Sequence, residues 1–160
     1  MASNTLITYF SWGGNAKALA TLISKQINSE LFEIKTVQEY PEDYTQTTVV
    51  AKAQKEKGEL LELQGSISTD SFNTIFIVLP VWWYTIPVAI KSFVLQHDFK
   101  GKTVVPIITH GGGGAYTIKE ELQELCKTAK VLDPFVVYEG GDDKTEQELK
   151  AFLKDFNLII

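Results

Sequence analysis

The sequence predicts an α/β protein built on a doubly wound, five-stranded parallel sheet with helices on both faces. Short β-rich runs alternate with longer stretches of helical period along the chain, the pattern of parallel strands joined by helical crossovers. The run Ile75-Phe76-Ile77-Val78-Leu79 is apolar at every position, as a strand covered on both faces must be. At 160 residues, 44% of them hydrophobic, the chain can close one core, and no internal repeat, low-complexity tract or linker divides it. A single domain over residues 1–160 is therefore expected.

Thr5 to Phe10 reads as the first strand. Ala16, Leu19, Ala20, Ile23 and Ile27 then recur at helical offsets and define the buried face of a first helix. Leu31 to Val37 alternates as a second strand, and Tyr40-Pro41-Glu42-Asp43 opens a polar helix that reaches about Lys57 along a solvated, lysine-rich face. Residues 58–73 read as loop with a little irregular structure. The apolar run 75–79 is the third strand. Pro87 suits a first helical turn, and Ile90, Phe93 and Val94 give the helix after it a buried face. Val104 to Ile108 is the fourth strand, with a bulge or an unpaired position expected at Pro106, which has no N–H for a ladder. Ile118, Leu122, Leu125 and Cys126 form one helical stripe, so Cys126 reads as a packed core thiol. Phe135 to Tyr138 is the fifth strand, and Asp142 or Asp143 caps a last helix whose apolar face is Leu149, Phe152, Leu153 and Phe156.

Composition narrows the function. With 15 basic against 20 acidic side chains the net charge is −5, which argues against nucleic acid as the main partner. One cysteine and two histidines make no zinc-type cluster and no internal disulfide. No apolar run approaches the ~20 residues that span a bilayer. Met1 to Asn4 carries no targeting signal, and a cytoplasmic protein is expected.

In a doubly wound sheet, ligands bind outside the carboxyl ends of the strands where the strand order reverses. Three loops there are chemically unusual. Ser11-Trp12-Gly13-Gly14-Asn15-Ala16 leads into a helix, whose N–H groups and dipole suit a phosphate; the same residues also suffice for a tight turn with Asn15 as N-cap. Pro80-Val81-Trp82-Trp83-Tyr84 puts adjacent tryptophans at a strand end. Neighbours in an extended chain face opposite ways, so one can join the core while the other is offered to a flat ligand. Thr109-His110-Gly111-Gly112-Gly113-Gly114 provides bare backbone that can lie against such a ligand, or a plain flexible loop. His110 could exchange protons or bind substrate, or simply hold the loop by hydrogen bonds.

A dinucleotide fingerprint fits poorly. Ser11 stands where its first glycine belongs, and although Glu39 lies near the place of a ribose-binding acid, the second and third loops are left without a role. A P-loop is absent, and so are the acidic residues of a receiver domain.

The chain resembles the flavodoxin-like family, in particular its short single-domain members with a P-x-W-W loop. The resemblance runs from Thr5 to about Phe156 and rests on Tyr9-Phe10-Ser11-Trp12-Gly13-Gly14-Asn15-Ala16, Tyr40-Pro41-Glu42-Asp43-Tyr44, Pro80-Val81-Trp82-Trp83-Tyr84-Thr85-Ile86-Pro87 and Thr109-His110-Gly111-Gly112 in that order. It implies strand order 2-1-3-4-5 and one noncovalent FMN, its phosphate on residues 11–16, its ring flanked by 80–84 and its pyrimidine side approached by 109–114. Backbone N–H groups around Gly111 to Gly114 would then stabilise the charge of the reduced ring, since no lysine or arginine lies within the three loops. The family usually has hydroxyl residues where this chain has Gly13 and Ala16. The expected function is electron transfer or a small oxidoreductase with NAD(P)H or a redox protein as donor and a quinone-type acceptor. The alternative is a binding module with weak or lost FMN binding.

Overall fold

β3 (Thr74–Pro80) runs through the middle of the sheet, paired in parallel with β1 (Thr5–Tyr9) on one side and β4 (Thr103–His110) on the other. The computed structural model describes residues 4–157, so the expectation drawn from the first three residues falls outside it. Ile75 to Leu79 are 0% exposed. Their side chains alternate between two cores: Ile75, Ile77 and Leu79 belong to one, Phe76 and Val78 to the other. The first core is closed by Ile90 and Phe93 of α3 (Val88–Leu95) and by Ile118 and Leu122 of α4 (Ile118–Leu125). Leu19 and Ile23 of α1 (Asn15–Gln26) close the second with Leu149 and Leu153 of α5 (Thr145–Asp155).

β2 (Glu30–Glu33) lies outside β1, and the ladder runs β2-β1-β3-β4-β5, the expected order. The fifth position is filled in two pieces, β5 (Lys130–Val131) and β6 (Phe135–Tyr138), both paired with β4. Pro106 explains the break. Leu132 N donates to Val104 O and Glu139 N to His110 O, so the even-numbered backbone groups of β4 face this side of the sheet. Pro106 has no N–H to give there, and the ladder skips from Val104↔Val131 to Ile107↔Phe135. On the β3 side the register continues unbroken through Ile77↔Pro106.

Element boundaries differ from expectation where side chains or loops intervene. β2 stops at Glu33 rather than Val37, because residues 35–37 turn to bond the following loop: Gln64 N donates to Lys35 O at 2.8 Å and Val37 N to Glu62 O at 2.9 Å. α2 (Tyr44–Lys57) begins just after Asp43, whose Oδ2 accepts from Gln46 N at 2.8 Å, and ends at Gly58 in the left-handed conformation. Gly14, at φ 98°, caps α1, and Asn15 is the first helical residue rather than the N-cap. Neither aspartate caps α5: Asp142 Oδ1 accepts from Lys144 N, which shapes the turn ahead of the helix.

Cys126 closes α4 at 3% exposure, and burial pushes its thiol up to about 11. The native protein at pH 8 is therefore expected to react with a disulfide reagent far more slowly than the unfolded chain does. A rapid native reaction, followed by thiolate absorbance, would show the helix end to be open.

Candidate functional site

The carboxyl ends of β1, β3 and β4 open onto one cavity of about 500 Å³, lined by Trp12, Tyr44, Thr47, Thr48, Ala51, Val81, Trp82, Trp83, Tyr84, His110, Gly111, Gly113 and Tyr116. It lies where the strand order reverses, between β1 and β3.

At one end, Ser11 Oγ accepts from Gly14 N at 3.1 Å and fixes the turn into α1. No side chain caps α1 and its first turn carries no acidic residue, so the first-turn N–H groups and the positive helix end are left for a ligand. A Cβ built at Gly13 meets nothing within 4 Å. Ala16 is different, because the whole residue is 2% exposed and packs into the second core. Trp12 leans away from the helix: its Nε1 donates to Pro41 O at 2.9 Å and its ring meets Tyr44 edge-on at 6.1 Å.

The two tryptophans face different ways, but through a turn rather than the strand alternation expected from sequence: Trp83 has left-handed backbone at φ 51°, and both residues line the cavity. Trp82 sits edge-on to Phe10 and to Tyr40, each with centroids 5.1 Å away, and packs on the first core. Trp83 faces α2, donating from Nε1 to Thr48 O at 2.8 Å. Trp82 and Thr85 exchange backbone hydrogen bonds of 3.0 and 3.1 Å, closing a two-residue turn in which Trp83 and Tyr84 have φ of 51° and 68°. Positive φ at both central positions is the signature of a type I′ turn, normally built from Asn and Gly. Two bulky residues there store on the order of 1 kcal/mol or more each. α2 restrains the strained turn: Lys55 Nζ donates to Trp83 O at 2.9 Å, and Lys52 Nζ lies 5.2 Å from the centre of the Trp83 ring.

Behind the turn, a second cavity of about 510 Å³ is bounded in part by Lys55, Thr85 and Glu121. Glu121 accepts from the Thr85 hydroxyl, while its Oε2 is buried without a hydrogen-bond partner among the described residues. Burial, the largest influence, raises its carboxyl above the ordinary range despite the nearby Ile86 N–H and the charge of Lys55.

At the other end, His110 Nδ1 accepts from Gly112 N at 3.0 Å and from Gly114 N at 3.1 Å. Tyr116 packs over Gly113 so closely that a Cβ there would fall 1.9 Å from its hydroxyl, and it meets Tyr84 edge-on at 5.2 Å across the cavity mouth.

Of the residues singled out from sequence, Trp12, Val81, Trp82, Trp83, Tyr84, His110, Gly111 and Gly113 line the cavity. Ser11, Gly13, Gly14 and Asn15 form the adjoining turn into α1. Pro80 and Thr109 are paired in the ladder, and Gly112 and Gly114 give their N–H groups to His110. Sequence reading missed Tyr44, Thr47, Thr48, Ala51 and Tyr116. A topological signal was available for the first four: a helix leaving the carboxyl end of the strand beside β1 must start at this edge of the sheet.

Two substitutions test the turn and its support. Because ionised Glu121 is disfavoured in the fold, stability is lost as pH rises through its raised titration range, and Glu121→Gln is expected to melt higher than the parent at pH 7 with the gain gone below pH 4. A gain that persists in acid would exclude charge burial as its cause. Tyr84→Gly relieves the positive φ and is expected to leave thermal stability unchanged or raised, although it removes the ring contact with Tyr116. A fall of several degrees would mean that the contact outweighs the strain.

No curated protein sequence matches the chain. Among solved structures, a flavoprotein candidate from Bacteroides eggerthii DSM 20697 superposes with a TM-score of 0.84 at 22% identity, covering 97% of this chain and 98% of that one. The flavoprotein from Lactobacillus acidophilus NCFM, solved in complex with FMN, gives 0.72 at 25% identity over 94% and 99%. A family model described as Flavodoxin matches residues 4–156, nearly the whole described chain, with the sheet order and strand-end cavity set out above. The chain belongs to the flavodoxin family.

Proposed function

We propose that the cavity binds one FMN noncovalently and that the protein works as a small oxidoreductase, passing reducing equivalents from NAD(P)H or a redox protein to a quinone-type acceptor. The observation that carries this reading is an aromatic-walled cavity set between a helix N-terminus that has no side-chain cap and a glycine loop. The FMN complex of the Lactobacillus acidophilus relative supports the choice of cofactor.

The residues present fit the group. The first-turn N–H groups of α1 would hold the phosphate, with Gly13 leaving room for its approach. Trp83 and Tyr84 would flank the ring, one face of the site being set by the α2 contacts of Trp83. Gly111 and Gly113 line the cavity, and their N–H groups have no acceptor among the described residues, so they can meet negative charge on a ligand. FMN, when bound, supplies hydride and electron transfer; the protein supplies position and electrostatics. Lys52 and Lys55 bring cations to the aromatic turn from α2, although none lies within the loops themselves. The net charge of −5 is modest for a carrier that docks through an acidic face, which favours the reductase over a dedicated electron carrier. Among the described residues, no helix is long and apolar enough to cross a membrane.

A second reading, a binding module with weak FMN affinity, is favoured by the empty space at Gly13, where a hydroxyl side chain would add a phosphate contact. Flavin titration followed by visible absorbance and fluorescence separates the two. Saturable binding with a shifted flavin band is expected, and no change up to high micromolar FMN would overturn the cofactor assignment. In FMN-loaded protein, reduction of added quinone at the expense of NADH, NADPH or a reduced redox protein is expected; FMN binding without quinone reduction from any of these donors would favour the module. Gly13→Ser should tighten FMN about tenfold, since a hydrogen bond to a charged group is worth ~1.5 to 3 kcal/mol. The same change at Ala16 would overpack the core instead.

A further inference from the structure

We propose that the glycine loop locks His110 as its Nε2–H tautomer and that this N–H is a fixed donor to the cavity, selecting an occupant whose edge carries a carbonyl or other hydrogen-bond acceptor. Two backbone donors, Gly112 N and Gly114 N, converge on Nδ1 at 3.0 and 3.1 Å. A ring turned over would set a carbon against both, and a protonated Nδ1 would set donor against donor, so Nδ1 is the acceptor nitrogen. The neutral ring must then carry its proton on Nε2. That atom has no partner among the described residues, and His110 lines the cavity. The residue is anchored from outside as well: Glu139 N donates to its carbonyl at 2.8 Å, and the Tyr138 ring lies 5.7 Å from its own.

The arrangement sorts the glycine loop by alternate residues. Gly112 and Gly114 turn their N–H groups to the histidine, while Gly111 and Gly113 stay at the cavity wall with theirs uncommitted. His110 thus acts as a positioning residue for the loop and as a donor to the occupant. The identity of the occupant rests on the flavin reading above; the tautomer does not.

The test uses the intact protein labelled with ¹⁵N. In the absence of flavin, long-range proton–nitrogen spectra of the chain's two histidines should show Nε2 of His110 protonated and Nδ1 as an acceptor. The reverse assignment, or averaging between the two, would overturn the proposal. Two variants then part the roles. His110→Asn keeps an oxygen near the Nδ1 position and removes the outer donor, so the Gly112 and Gly114 amide signals should hold while FMN binding weakens roughly tenfold. His110→Gln offers an amide near the Nε2 position without the inner acceptor, so those amide signals should move. FMN binding by His110→Asn equal to the parent's would overturn the donor role. If the parent itself takes no FMN, the flavin reading fails, and the nitrogen shifts alone decide the tautomer.

Discussion

Burying β3 on both faces is the requirement from which the rest of the molecule follows. Five successive apolar side chains, Ile75 to Leu79, can leave water only if strands lie on both sides of them and helices lie above and below. β1 and β4 supply the flanks, α3 and α4 close one face, and α1 and α5 close the other. Parallel neighbours end at the same edge of the sheet, so the turns after β1, β3 and β4 meet there whatever their own sequences prefer. The cavity is a consequence of the core, and its chemistry is a matter of which residues those turns carry.

Those turns spend local stability for shape. A type I′ turn made of Trp83 and Tyr84 is a poor choice for the backbone and is retained under restraint from Thr48, Lys52, Lys55 and Glu121. The glycine loop is held without side chains of its own by one imidazole nitrogen shared between two N–H groups. Both devices position groups at a cavity wall, and neither is needed to close the core, which is the ordinary relation between strain and function.

Much of this was legible in sequence, and the limits have physical causes. The uniform apolar run and the helical stripes identified the sheet centre and the buried faces because burial imposes them directly. Pro106 foretold a gap in the ladder, but its side of the sheet follows from backbone parity, which depends on register. Trp82 and Trp83 do make separate contacts, but alternation along an extended strand is not the cause, because Trp83 has the left-handed backbone of a tight turn that the sequence did not signal. Tyr44, Thr47 and Thr48 were hidden because a polar helix face looks solvated until another loop is placed against it. That His110 could hold its loop by hydrogen bonds was one reading of the sequence, but the choice of Gly112 and Gly114 was not legible, since four consecutive glycines carry no signal of where each N–H points. It narrows the donors available to a ligand to alternate positions.

Three separate strand-end loops are proposed to form one flavin site. The direct measurement is a map of backbone amide shifts as FMN is added. Residues 11–16, 81–84 and 110–114 are expected to respond together and saturate at a single flavin concentration. Shifts confined to one loop, or centred on the second cavity around Glu121, would contradict it.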